Sequence, residues 1–249
     1  KRSIFQKMVH GLYAHALKHA HKVFFQNPDD LKLFQSMQLV SPQKPTVVVN
    51  GSGVNVQDFA VLDLPKNEHG QAKASFLLIA RLLGDKGVRE YAEAARIIKA
   101  KHPKVEFHLV GWIDENPAVI AQAELDTWVA EKVVNYWGKL SDVRPAIAAS
   151  SVYVLPSYRE GTPRTVLEAM AMGRAIITTD APGCRETVIH GQNGYLVPVK
   201  SVEELVQAMQ TFINDPQLMV RMGQRSREIA LEKYDVHQVN AHMMSEMGV

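Results

Sequence analysis

Short apolar runs alternate with helix-like stretches along most of the chain, and this alternation constrains the fold more than any other feature. The strand-like runs are residues 46–50, 75–80, 105–110, 133–137, 152–155 and 175–179, with a further short strand after a turn at 190–194. The helix-like stretches are residues 87–101, 118–131, 142–149, 163–172, 201–213, 216–233 and 236–247. Apolar strands separated by helices are typical of strands covered on both faces, so the sequence predicts an α/β fold with a doubly wound, mainly parallel sheet.

The first 45 residues follow a different pattern. Residues 1–22 carry an apolar stripe at helical spacing, and the other face holds Lys1, Arg2, Lys7, Lys18 and Lys22. A short strand at 22–26 follows, and Asn27-Pro28-Asp29-Asp30 is expected to form a turn and N-cap leading into a helix over about 29–38. The histidines of the first helix favour a surface over a metal site, because no acid or cysteine joins them.

Composition excludes several classes of protein. The 249 residues carry a formal net charge of +2 and are 46% hydrophobic, which is ordinary for a globular protein and gives no reason to expect nucleic-acid binding. No apolar run is long enough for a membrane span. The single cysteine, Cys184, excludes an intrachain disulfide and favours a cytoplasmic location. We interpret Cys184 as a packing residue because no partner base is evident.

The loops that follow the strands are the places to look for ligand-binding residues, because open parallel sheets bind ligands beyond the carboxyl ends of their strands. After the strand at 75–80, Arg81 and Lys86 surround a glycine turn and could hold a diphosphate; a solvated loop is the alternative. After the strand at 133–137, backbone groups of Gly138 and Leu140 could contact the edge of a base. A simple helix cap at Ser141 explains that loop equally well.

Two glutamates flank the helix that follows the strand at 152–155. Glu160 lies in the turn and Glu168 lies about one and a half turns into the helix, so both side chains can reach one pocket. The backbone N–H groups of Gly161 and Thr162 are expected to be free at the helix start, where a phosphate is favoured. In the alternative interpretation Glu160 interacts with the helix dipole and Glu168 is an ordinary surface residue.

Taken together, these segments resemble the retaining glycosyltransferases of family 4, also called group 1 glycosyltransferases, which have the GT-B fold. The resemblance covers about residues 46–233 and rests on motifs in the family's order: Asn50-Gly51-Ser52-Gly53-Val54-Asn55, Ala80-Arg81-Leu82 with Lys86-Gly87, Leu109-Val110-Gly111, Leu155-Pro156-Ser157, Glu160-x7-Glu168-Ala169, and Asn193-Gly194 with Leu196-Val197-Pro198. The turn Glu-Gly-Thr-Pro-Arg is similar to a bacterial subgroup that builds capsule, O-antigen or lipid-linked glycans.

The resemblance implies two Rossmann-like domains with the active site between them. Residues 46–235 would be the nucleotide-sugar donor-binding domain, residues 1–45 a remnant of the N-terminal acceptor domain, and residues 236–249 a crossover helix. The chain starts without Met, and we interpret it as a piece that lacks the N-terminal domain and is inactive alone.

The resemblance also implies a role for each matching residue. Arg81 and Lys86 would neutralise the donor diphosphate during the reaction, Glu168 would bind the ribose hydroxyls, and Glu160 would contact the transferred sugar. The N–H groups of the turn, those of Gly161 and Thr162, would hold the distal phosphate, with Gly138 and Leu140 completing the donor site. Such enzymes need neither a metal nor a cofactor.

The sequence therefore predicts a retaining hexosyltransferase that uses a nucleotide sugar, expected to be a UDP sugar, and a glycan or lipid-linked acceptor. Two alternatives remain open: a nucleotide-sugar epimerase of the same fold, and a non-catalytic sugar-nucleotide binding module. We expect a cytoplasmic protein, with peripheral contact at the inner face of the membrane as a further expectation. The apolar stripe of residues 1–22 is expected to be exposed or covered by a second copy of the chain.

Overall fold

The computed structural model describes residues 4–116 and 118–249. Lys1 and Arg2 of the basic helix face lie outside this range. The helices and strands are α1 (Ile4–His19), β1 (Val23–Phe25), α2 (Pro28–Ser36), β2 (Thr46–Val48), β3 (Ser75–Ile79), α3 (Val88–Lys101), β4 (Glu106–Val110), α4 (Gln122–Ala130), β5 (Asn135–Tyr136), α5 (Arg144–Ala148), β6 (Val152–Leu155), α6 (Arg164–Ala171), β7 (Ala175–Thr179), β8 (Gly194–Val197), α7 (Val202–Asn214), α8 (Pro216–Lys233) and α9 (Val236–Met247).

Six strands form one parallel sheet in the order β5-β4-β3-β6-β7-β8. Successive strands proceed outward from β3 to β5 on one side and from β6 to β8 on the other. The direction of winding therefore reverses between β3 and β6, and the predicted doubly wound parallel sheet is confirmed. A crevice between the loops that follow β3 and β6 is the usual ligand site of such a sheet.

Both faces of the central strands β4, β3, β6 and β7 are buried, as the apolar runs predicted, whereas the outer strand β5 is exposed. In β3, Phe76 and Leu78 point into one hydrophobic cluster with α3, α4 and α7, whereas Leu77 and Ile79 point into the other with α5 and α6. Burying each such side chain stabilises the fold by roughly 1.5–3 kcal/mol. The sheet is thus a rigid base for the loops at its carboxyl edge.

Two sequence predictions need correction. The run at 46–50 does form a strand, but β2 pairs in parallel with β1 in a separate two-stranded sheet. The helix predicted from residue 118 begins at Gln122, because residues 118–120 are drawn into extended pairing with the loop after β3: Ala118 O accepts from Gly84 N at 3.0 Å and Ile120 N donates to Leu82 O at 2.8 Å.

The small sheet packs with α1 and α2 beside the main sheet. The ring of Phe34 lies 5.3 Å from that of Phe25 and 6.0 Å from that of Tyr13. Helix α9 returns to this region, where Lys22 Nζ lies 2.8 Å from Glu246 Oε2. The predicted exposure of the apolar stripe is confirmed in part: the large side chains of Ile4, Phe5, Met8, Leu12 and Tyr13 are exposed, whereas Val9 and Leu17 are half-buried.

Gly87 fixes the distance between α3 and the end of β6, and replacing it should destabilise the fold. Its φ is +71°, and a Cβ there would lie 2.2 Å from the carbonyl oxygen of Pro156. Gly87→Ala should therefore cost backbone strain of about 1–2 kcal/mol plus about 1–3 kcal/mol of overlap, measured by urea unfolding. Gly191→Ala is the matched control, because Gly191 has a φ of +79° and open space around the Cβ position. Equal losses in the two variants would contradict the close contact.

Candidate functional site

The candidate site lies at the carboxyl edge of the sheet, on both sides of the reversal between β3 and β6. The loop after β3 contains Arg81 and Lys86, and the loop after β6 contains Glu160. Glu168 lies on α6, the helix that follows this second loop. Because the strands are parallel neighbours, these residues share one edge although the sequence separates them widely.

Lys86 and Glu160 form a direct ion pair. Lys86 Nζ lies 2.6 Å from Glu160 Oε1, and each side chain is only 16% exposed. Partial burial strengthens the attraction between the two charges and makes the loss of either partner costly. The sequence predicted that both residues belong to one site but not that they touch. The pair places a cation and a carboxylate together at the entrance to α6.

Arg81 lies in the same loop as Lys86 but is exposed to solvent. Its Nη1 donates to Asp114 Oδ2 at 3.0 Å, and its side chain is 47% exposed. Exposed ion pairs of this kind contribute at most about 1 kcal/mol, so the guanidinium can exchange Asp114 for another anion at little cost. Arg81 is therefore available to a ligand that approaches from solvent.

Glu168 is a buried carboxylate rather than the surface residue of the alternative interpretation. Its side chain is 8% exposed, and Arg164 Nε donates to its Oε1 at 3.0 Å. Burial raises the pKa of Glu168, and the charge of Arg164 offsets only part of that shift. A carboxylate kept in a poorly solvated place without a buried cation beside it is a feature of binding sites.

Tyr153 of β6 is completely buried and contacts α6 through its hydroxyl group. Its hydroxyl donates to Ile79 O at 3.1 Å and lies 2.6 Å from Thr165 Oγ1. Burial raises the pKa of Tyr153 well above its usual range, and the charges of Glu168 and Glu160 raise it further. Both carboxylates therefore lie within electrostatic range of the same hydroxyl group.

The turn before α6 differs from the prediction in one respect. The N–H of Thr162 was expected to be free, but it donates to Gln26 Oε1 at 3.1 Å, and the Thr162 hydroxyl donates to Gln26 O at 3.1 Å. That expectation is wrong because the segment after β1, which the sequence placed in another domain, lies against the turn. Gln26 is exposed, so a ligand could replace its side-chain oxygen.

Gly138 and Leu140 lie at the end of β5, two strands away from β3. Gly138 has a φ of +72° and its carbonyl accepts from Gly111 N at 2.9 Å, which joins the loops after β4 and β5. Leu140 is half-buried against the second hydrophobic cluster. The loop thus borders the site, while its contact with a base stays a prediction.

Cys184 is buried beneath the site. Burial raises the pKa of its thiol to about 11, so the thiolate needed for nucleophilic attack is scarce at neutral pH. In the described part of the chain, no three His, Cys, Asp or Glu side chains group closely enough to hold a metal ion. No helix there is both long and apolar enough to cross a membrane.

Two cavities lie away from the carboxyl edge. One, of about 870 Å³, is bordered by Lys73, Lys99 and Lys132 near the amino ends of β3 and β4. The other, of about 500 Å³, lies between Val61, Gly173 and Val220. Neither cavity brings together a perturbed carboxylate and a partly buried ion pair. We therefore assign the site on its chemistry.

Sequence reasoning missed the contacts that the segment after β1 makes with the site. Asn27 belongs to the predicted turn and N-cap, and the structure shows that it is the residue that caps α2, accepting from Asp30 N at 2.8 Å. It also donates to the carbonyl of Gly161 at 2.9 Å. Only the tertiary fold brings these residues together. The one local signal was that two polar residues, Gln26 and Asn27, directly follow a strand, where ligand-binding residues are expected.

A family model described as glycosyl transferases group 1 matches residues 73–215 of the chain. The chain is 30% identical over 243 residues to the N,N′-diacetylbacillosaminyl-diphospho-undecaprenol alpha-1,3-N-acetylgalactosaminyltransferase of Campylobacter jejuni, a match that covers 94% of this chain and 62% of that protein. It is 26% identical over 203 residues to the capsular polysaccharide biosynthesis glycosyltransferase CapM of Staphylococcus aureus, covering 79% of this chain and 53% of that one.

Solved structures agree on the fold. Anabaena HepE in complex with UDP superposes with a TM-score of 0.80 at 22% identity, over 94% of this chain and 65% of that one. Sucrose-phosphate synthase of Thermosynechococcus elongatus superposes with a TM-score of 0.81 at 23% identity, over 96% of this chain and 60% of that one. These likenesses confirm the predicted GT-B type of fold, of which the chain contains a part. Because the family model spans more than half of the chain and the Campylobacter relative matches nearly all of it, the chain belongs to the group 1 glycosyl transferases.

Proposed function

We propose that this chain is the donor-binding part of a retaining glycosyltransferase and that it holds UDP joined to a hexose or an N-acetylhexosamine. The partly buried Lys86–Glu160 ion pair at the reversal of the sheet supports this proposal most strongly. A diphosphate needs a cation, and a sugar needs an acceptor for its hydroxyl hydrogens. The pair supplies both groups at neighbouring positions.

Each charged group has a distinct task in this proposal. Lys86 and Arg81 neutralise the charge that develops on the leaving UDP, and the start of α6 adds its dipole. The buried carboxylate of Glu168 accepts hydrogen bonds from the two ribose hydroxyls. Glu160 holds the transferred sugar, and Lys86 fixes its carboxylate. These fixed charges would stabilise the leaving diphosphate as a metal ion would, so we propose that sugar transfer by the full protein needs no bound metal. Adding EDTA should then leave the rate of sugar transfer by the full protein unchanged.

Retention of configuration is part of the proposal. The bond between the anomeric carbon and the phosphate oxygen breaks with its electron pair going to UDP. The acceptor hydroxyl oxygen then bonds to the same face of the sugar and passes its proton to the leaving phosphate oxygen. The nearby carboxylate of Glu160 stabilises the positive charge of the oxocarbenium-like transition state.

The acceptor and the cellular setting are inferred from the relatives. One acts on a diphospho-undecaprenol acceptor and another in capsular polysaccharide biosynthesis. We propose that the full protein builds a bacterial surface glycan on a lipid-linked or glycan acceptor, at the inner face of the membrane. The chain spans about six-tenths of the length of the Campylobacter relative, so we propose that it binds donor but does not transfer sugar alone.

A thermal-shift panel with UDP, GDP and ADP tests the proposal. A ligand at 100 times its dissociation constant stabilises a protein by about 2.7 kcal/mol, so UDP should raise the melting temperature by about 5–10 °C. GDP and ADP should have much smaller effects. Equal shifts with all three nucleotides, or none with UDP, would contradict the proposed donor.

A further inference from the structure

The turn that carries Glu160 is held from outside by the segment after β1. Asn27 is completely buried, and its side-chain Nδ2 donates to the carbonyl oxygen of Gly161 at 2.9 Å and to that of Glu160 at 3.4 Å. Its Oδ1 accepts from Asp30 N at 2.8 Å and caps α2, and its Nδ2 also donates to Asp30 Oδ2 at 3.0 Å. One buried amide therefore joins the start of α2 to the two backbone carbonyls beside the Glu160 side chain.

The same turn is held from the other side by the loop after β7. Glu160 N donates to Pro182 O at 2.9 Å. Gly183 has a φ of +81°, and a Cβ on it would lie 2.1 Å from the carbonyl oxygen of Glu160. The Glu160 peptide is thus confined between Asn27 and the Pro182–Gly183 backbone. The position of the Glu160 backbone, and with it the point from which its carboxylate projects, therefore depends on the Asn27 contacts.

Two ion pairs fix Asn27 over the turn. Asp30 pairs with Arg159, the residue before Glu160, and Asp29 pairs with Arg185 of the loop after β7. Both aspartates belong to the first turn of α2, which Asn27 caps. The segment therefore contacts the turn through a buried amide flanked by two charge pairs. A buried polar side chain of this kind is costly to leave without partners, so it is poorly explained by helix capping alone.

We propose that Asn27 is a positioning residue for donor transfer: it holds the Glu160 turn so that the carboxylate faces the sugar of the bound nucleotide. The proposal rests on the proposed function, because Glu160 is taken there as the sugar-binding group. Asn27 itself touches neither the nucleotide nor the sugar. Its effect should appear in the binding of the sugar and not in the binding of UDP alone.

Three variants separate this role from helix capping. Asn27→Ser keeps an oxygen that can cap α2 but removes the amide hydrogens that reach the carbonyls of Glu160 and Gly161. Asn27→Asp also keeps the cap and places a carboxylate oxygen against those carbonyls. Asn67→Ser is the matched control, since Asn67 Oδ1 accepts from the backbone N–H groups of His69 and Gln71 in an exposed loop before β3.

Amide hydrogen exchange measures how firmly the Glu160 turn is held, and it needs no ligand. In Asn27→Ser, the amide of Glu160 should exchange about 10-fold faster than in the wild type, while the amides of α8 keep their rates. Asn27→Asp should show a larger increase and Asn67→Ser none. Unchanged exchange at Glu160 in both Asn27 variants would overturn the proposal, because the amide would then not hold the turn.

Calorimetry with UDP, UDP-glucose and UDP-N-acetylgalactosamine reads the consequence for the donor. Of the two UDP sugars, the one that the wild type binds more tightly is compared with UDP. In Asn27→Ser, the ratio of its affinity to that of UDP should fall about 10-fold, whereas the affinity for UDP should stay within about 3-fold of the wild-type value. In a Glu160→Gln background the same change should have no further effect, since residues that act through each other are not additive.

Equal losses of UDP and UDP-sugar affinity, or full additivity with Glu160→Gln, would overturn the positioning role and leave only a structural one. A wild-type chain that binds none of the nucleotides would overturn the proposed function, and with it any role of Asn27 in donor binding. The exchange measurement distinguishes this case, because it shows independently whether Asn27 holds the turn.

Discussion

Replacing Lys86 with alanine should lower the affinity for UDP about 100-fold, equivalent to about 2.7 kcal/mol, and should lower it further for a UDP sugar. Two effects combine. The diphosphate loses a partly buried cation, and the carboxylate of Glu160, now without its partner at 2.6 Å, repels the phosphates. Isothermal titration calorimetry of the two proteins measures the difference directly.

Lys73 serves as a matched control, because it also forms an ion pair but lies at the amino-terminal ends of the strands of the same sheet. Lys73 Nζ is 2.7 Å from Glu106 Oε1, near the amino ends of β3 and β4. Lys73→Ala removes an ion pair of nearly the same length and should leave UDP affinity within about 2-fold of the wild type. Similar losses in both variants would mean that overall charge, and not the site after β3, governs nucleotide binding.

Glu168→Gln should weaken UDP binding and at the same time stabilise the protein at neutral pH. Glutamine accepts one fewer strong hydrogen bond from the ribose, so we expect about a 10–100-fold loss of affinity. Burial raises the pKa of Glu168, which means that ionising it disfavours the folded state. Removing that charge should raise the melting temperature by about 2–4 °C, less whatever the lost bond from Arg164 contributes.

The sign of the pH dependence gives a second readout for Glu168. Because its folded pKa lies above the unfolded one, its contribution to stability is fully present below about pH 4 and is lost as the pH rises through the folded pKa. The advantage of Glu168→Gln should therefore be largest at neutral pH and vanish in acid. Glu93→Gln, at an exposed residue of α3, should show no such trend. If Glu168→Gln were less stable than the wild type at neutral pH, this would contradict the claim that the ionised Glu168 carboxylate destabilises the folded state.

The main sheet could be predicted from the sequence because its strands are buried on both faces. Each of β3, β6 and β7 therefore appears as a short run of mainly apolar residues, with only small hydroxyl side chains at the ends of β3 and β7. The partner of β2 could not be predicted in the same way. Its three residues are only half-buried or exposed, and its partner β1 lies 23 positions earlier across a helix, as in the pairing Val23↔Thr46. Local patterns carry little information about such pairings.

The sequence predicted which loops form the candidate site, but not the contacts within it. Arg81, Lys86 and Glu160 follow strands, and parallel neighbours must bring such loops together. The contacts themselves were not predictable, since Lys86 and Glu160 are 74 positions apart and Asn27 and Glu160 are 133 apart. The burial of Glu168 likewise depends on how α6 packs on the sheet. These details follow from tertiary packing, for which the sequence supplies no local signal.

The most direct test is a crystal structure of the chain with UDP. We expect the ribose hydroxyls within hydrogen-bond distance of Glu168 and the diphosphate between Lys86, Arg81 and the turn at Gly161–Thr162, with Gln26 displaced from the Thr162 N–H. UDP bound instead in the lysine-bordered cavity at the amino edge of the sheet, or held without contact to Lys86 or Glu168, would contradict the assignment of the donor site.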